Sequence, residues 1–89
     1  MKKGINILEK ALKENKGVDA IISIYHKLYG LQKIKCQLDY ILDDNRIGFR
    51  IKNKQEIFIY KEDLVGYDTK DGICFADKLM KIEIKLHKQ

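Results

Sequence analysis

The apolar positions of this chain follow two periods, and the change falls near Gly30. Over residues 5–16, Ile5, Leu8 and Leu12 share one side, with Ile7 and Ala11 beside them. That spacing predicts an amphipathic helix. Asn6 followed by Glu9 imitates a capping box, and Asn15-Lys16-Gly17 supplies a stop, with Gly17 suited to the left-handed position. Asp19 then serves as the N-cap of a second helix, whose apolar stripe is Ile21, Ile22, Tyr25, Leu28 and Tyr29. Gly30 followed by Leu31 resembles a Schellman end. Two alternatives stay open. The run Val18–Tyr25 is β-branched enough to be a strand, and the stripe Ile7, Ala11, Val18, Ile22, Tyr25, Tyr29 nearly keeps phase across Gly17, as one continuous helix would.

Beyond Gly30 the period is two. Ile34, Cys36, Leu38, Tyr40 and Leu42 alternate with Lys35, Gln37 and Asp39, which predicts one long strand. Folding the chain back between Asp44 and Asn45 sets Leu42 against Ile47, Tyr40 against Phe49 and Leu38 against Ile51. On the other face Asp43 meets Arg46, Ile41 meets Gly48 and Asp39 meets Arg50. Apolar faces apolar and acid faces base, the pattern of an antiparallel hairpin. A three-residue loop at Asn53–Gln55 would then pair Lys52 with Glu56, Ile51 with Ile57 and Phe49 with Ile59, placing Tyr60 over Gly48. Leu64–Asp68 reads as a further short strand, and Thr69-Lys70-Asp71-Gly72 as a turn. A final hairpin around Asp77-Lys78 would pair Phe75 with Met80 and Ile73 with Ile82.

The expected class is α+β: an N-terminal helix or helical hairpin over residues 1–30, then a five- to six-stranded antiparallel meander over residues 33–86, in one domain spanning 1–89. A meander this short should curl into a small partial barrel, SH3-like or Sm-like in architecture. The helical stripe needs a surface to bury, and covering Phe58 and Tyr60 on the outer sheet face is the simplest solution.

Charge and composition narrow the functional classes. The formal charge is +5, and residues 1–38 alone hold eight lysines against Glu9, Glu14 and Asp19. Lysine lacks the bidentate fork with which arginine reads phosphate, and the chain's two arginines, Arg46 and Arg50, already have acidic partners in the hairpin. No apolar run approaches the roughly 20 residues of a membrane span, so no membrane association is expected. Cys36 and Cys74 are far apart without a C-x-x-C spacing, which fits two buried thiols in a cytoplasmic protein.

Candidate chemistry is sparse. His26 and His87 have no ligand at metal-binding spacing, so no metal site is expected. Ser23 lacks a nucleophile elbow, the cysteines are not at a helix N-terminus, and no glycine motif cradles a nucleotide. The expectation is a protein that is not an enzyme and carries no cofactor. A protein partner or self-association is the leading expectation, with helix faces, Phe58, Tyr60 and Tyr67 as candidate contacts. Short lysine- and isoleucine-rich chains of this kind are common among phage and mobile-element accessory proteins, including inhibitors. The alternative is nucleic-acid binding through Lys3, Lys10 and Lys13, with Lys33 and Lys35.

Overall fold

The computed structural model describes residues 5–51 and 55–87. Lys3 and the Lys52–Glu56 pairing, through Lys52, lie outside those residues. Among the described residues the fold is α+β, with one N-terminal helix and eight antiparallel strands in two sheets. The helix α1 spans Ile5–Glu14 and buries Ile5, Leu8 and Leu12, the predicted stripe. Gly17 follows at φ +84°, the left-handed conformation that a residue without Cβ adopts readily.

The predicted second helix does not form. Asp19–His26 is strand β1, and Gly30–Gln37 is strand β2, joined by a tight loop at 27–29. Ala20, Ile22 and Ile24 are buried at strand period, so the β-branched alternative decides the segment. Gly30 does have the positive φ (+81°) expected of it, but it closes a β-hairpin loop rather than a helix.

The long strand predicted from Ile34 to Leu42 is also two. After β2 the chain crosses at Leu38 and Asp39 into β3, Tyr40–Leu42, which belongs to the other sheet. The strands β4 (Arg46–Ile51) and β5 (Gln55–Tyr60) complete that three-stranded sheet in the order β3-β4-β5. The hairpin register holds as expected: Leu42 faces Ile47, Ile41 faces Gly48 and Tyr40 faces Phe49. Leu38 and Ile51 are not a ladder pair; the last link is Arg50 N–H donating to the Asp39 carbonyl at 2.6 Å.

A short 3-10 turn at Lys61–Asp63 leads to β6 (Gly66–Asp68), β7 (Ile73–Ala76) and β8 (Met80–His87). These join β1 and β2 in a five-stranded sheet of order β2-β1-β8-β7-β6. The chain therefore returns to insert its last strand beside its first, instead of running as a simple meander. Among the described residues neither sheet closes on itself, so the expected partial barrel is not shown.

Two registers differ from expectation by a shift that preserves faces. Phe49 pairs with Ile57 and Gly48 with Phe58, so Phe58, not Tyr60, lies over the glycine. Phe75 pairs with Ile82 and Ile73 with Ile84, because the turn is at Lys78-Leu79. Asp77 sets that turn: its Oδ1 accepts from the N–H of Leu79 at 2.8 Å and of Met80 at 2.7 Å. Asp43 does the same for Asn45 (2.9 Å) and Arg46 (2.7 Å) in the first hairpin.

One core joins all three layers. Leu8 and Leu12 from α1 meet Ile22, Ile82, Ile84 and Phe75 of the large sheet and Ile47, Phe49 and Ile59 of the small one. The helix thus seals the space between the inner sheet faces. It does not cover Phe58 and Tyr60, which correction leaves Tyr60 exposed and Phe58 half-buried on the opposite side.

Candidate interaction surface

Alternation along β1, β2 and β8 separates an inner face, in the core, from an outer face with no layer over it among the described residues. Cross-strand rows define the outer face. Leu31 pairs with Tyr25, and Tyr25 with Lys81; Lys33 pairs with Ser23, and Ser23 with Glu83; Lys35 pairs with Ile21, and Ile21 with Lys85. Four lysines thus surround Ile21, Ser23 and Tyr25. Glu83 takes Lys81 at 3.0 Å, and that hydrogen bond holds the Lys81 ammonium pKa above its ordinary value. Lys81 also approaches the Tyr25 ring, 5.8 Å from its centroid.

At one end of this face the β1–β2 loop projects. Leu28 is 73% exposed and Tyr29 is 85% exposed, with Tyr25, Leu31 and Leu79 exposed around them. The loop has a defined shape. Lys27 N–H donates to the Leu79 carbonyl at 2.9 Å, Leu28 N–H donates to His26 Nδ1 at 3.0 Å, and the His26 and Tyr29 rings meet at a tilt of 34°, 4.6 Å between centroids. His26 therefore spends its acceptor nitrogen on its own turn. Sequence reasoning assigned Tyr25, Leu28 and Tyr29 to a buried helical stripe; the β-branched run before them was the signal that placed them in a hairpin.

The other candidates are scattered. Lys10 rides on α1 and pairs with Glu14 at 3.7 Å, and Lys13 is exposed in the last turn of the same helix. They occupy a different surface from Lys33 and Lys35. Tyr67 pairs with Phe75 and packs half-buried against the core. Phe58 and Tyr60 make an edge-on contact at 5.3 Å on the small sheet's outer face, with the Arg46 guanidinium 5.0 Å over the Phe58 ring. Arg46 is bound to Asp43 at 2.8 Å, while Arg50 reaches Glu56 at 3.1 Å and Asp39 at 3.7 Å. That face is electrostatically self-contained.

Cys36 and Cys74 are free and half-buried, and burial pushes both thiols up from the ordinary range, away from the reactive thiolate. Among the described residues, no group of three histidine, cysteine or carboxylate side chains is placed to hold a metal ion. Nor is any helix there long and apolar enough to cross a membrane. No protein-family model matches the chain, and comparisons with curated proteins and with solved structures found no match.

Proposed function

We propose that this chain is a small non-enzymatic binding protein that acts through protein–protein contact, of the accessory or inhibitor kind carried by phages and mobile elements. The observation that carries the reading is the gathering of Tyr25, Leu28, Tyr29, Leu31 and Leu79 at one projecting end of the large sheet. Large apolar patches on a soluble surface mark contact sites, and tyrosine offers wide contact area at low entropy cost. Burying Leu28 or Tyr29 against a partner is worth about 1.5–3 kcal/mol each. The main-chain hydrogen bonds of Lys27 and Leu28 and the His26–Tyr29 ring contact shape the loop beforehand, which reduces the ordering cost of binding.

The test is a photo-crosslinking residue in place of Tyr29, in the cell that makes the protein, with Val65 as the control position. Val65 is apolar and exposed but sits beside Ala76 at the β6 edge, with β8 and β7 between it and the β1–β2 loop. A crosslink to one protein from position 29 and none from position 65 is expected; a crosslinked dimer would identify the chain itself as partner. No adduct from position 29, or equal adducts from both, would sink the reading.

A second reading rests on Lys33, Lys35 and Lys85, which share the outer sheet face with the exposed Tyr25, since lysines and an aromatic on an open sheet can hold single-stranded nucleic acid. It requires retardation of an oligonucleotide that weakens steeply with salt. No retardation at low salt removes it.

A further inference from the structure

We propose that β2 is a docking edge for an extended acidic segment of the partner, which adds to the large sheet as a further strand. This deepens the protein–protein reading and rests on it. The sheet order leaves β2 at an edge, and among the described residues no strand pairs with its far side. The opposite edge, β6, is only 3 residues long, whereas β2 is 8. A long open edge is a ready template for strand addition.

The direction of the free main-chain groups follows from the ladder. Leu38 N–H donates to the Val18 carbonyl, and Lys27 N–H turns the other way, to Leu79. In an antiparallel pair these directions alternate residue by residue. Ile34 and Cys36 therefore spend their main-chain groups on β1, while those of Leu31, Lys33, Lys35 and Gln37 point outward.

Side-chain chemistry selects the occupant. From Lys27 to Gln37 the chain carries three lysines and no acidic residue. An added strand would place alternate side chains beside Lys33 and Lys35 on the outer face. Its other side chains would enter the open cleft below, where Ala20, Ile34, Cys36, Leu38 and Ile51 form the apolar part of the wall. The complementary segment alternates acidic and apolar residues. A second copy of this chain fits poorly. The two full-length antiparallel registers that use the outward groups set Lys33 against Lys33, or Lys33 against Lys35, and like charges directly opposite are destabilising.

The experiment uses amide hydrogen exchange of the full chain, with a synthetic peptide alternating glutamate and valine over the length of β2. With the peptide at about ten times its dissociation constant, exchange at Leu31, Lys33, Lys35 and Gln37 should slow about tenfold. A lysine–valine peptide should give no slowing. Lys35→Pro removes an outward N–H without touching the ladder to β1, and should weaken the peptide about fivefold or more. If that variant does not fold, Lys33→Glu with Lys35→Glu carries the test, with a loss of about tenfold expected from two pairs turned repulsive. Leu28→Ser with Tyr29→Ser should bind the peptide like the wild type, so failure at the edge is distinguishable from failure at the loop. The proposal is overturned by unchanged exchange with the acidic peptide, or by equal effects of both peptides. Protection of these amides by self-association alone, or by oligothymidylate in place of the acidic peptide, overturns it too.

Discussion

Phe58 lies directly across from Gly48, and the register of the small sheet depends on that contact. A Cβ added at Gly48 would stand 2.5 Å from Phe58 Cα and 2.7 Å from its Cβ, and would also strike the Ile57 carbonyl. Backbone cannot yield as a flexible side chain can. Gly48→Ala should therefore destabilise the fold by about 1–3 kcal/mol or more, read from urea unfolding. An unchanged midpoint would mean that β4 and β5 pair in another register.

Asp43 predicts a pH dependence. The Asn45 N–H, then the Arg46 side chain, hold its carboxyl below the usual carboxylate range. A depressed folded-state pKa gives stability that is present above the unfolded pKa, about 3.9, and lost as pH falls through the lower folded value. Asp43→Asn should be less stable than wild type at neutral pH, and the gap should close only on acidification below about pH 4. A gap that persists unchanged in acid would remove the charge from the account.

Leu12 is fully buried between the two sheets, whereas Ile7, on the same helix, is 58% exposed. Leu12→Ala should cost about 2–5 kcal/mol, while Ile7→Ser should stay within about 0.5 kcal/mol. Thermal or urea unfolding separates them. Equal effects would show that α1 does not seal the core in this orientation.

The residues that misled the sequence reading are informative. Ile21, Ile22, Tyr25, Leu28 and Tyr29 fall at helical spacing only because Leu28 and Tyr29 are apolar, and the fold exposes both. With those two set aside, Ala20, Ile22 and Ile24 show a plain strand. An exposed apolar loop can counterfeit a buried stripe, since periodicity records hydrophobicity and not its cause. The hairpin at Asp44-Asn45 was legible because both of its faces carried paired chemistry. The Phe58 and Phe75 registers were not, since the shifts they required leave every side chain on its face. There the decision lay in the Gly48 contact and the Asp77 cap. The lysines of β2 and β8 are far apart in sequence, and only β1 between them makes one surface.

The most direct test of the account compares the affinity of the purified crosslinked partner for wild type and for Leu28→Ser with Tyr29→Ser. Both side chains are exposed, so the unfolding midpoint should not move by more than about 0.5 kcal/mol in stability. Binding should fall at least tenfold, about 1.4 kcal/mol. Equal affinity in a folded double variant would contradict the claim that this loop is the contact site.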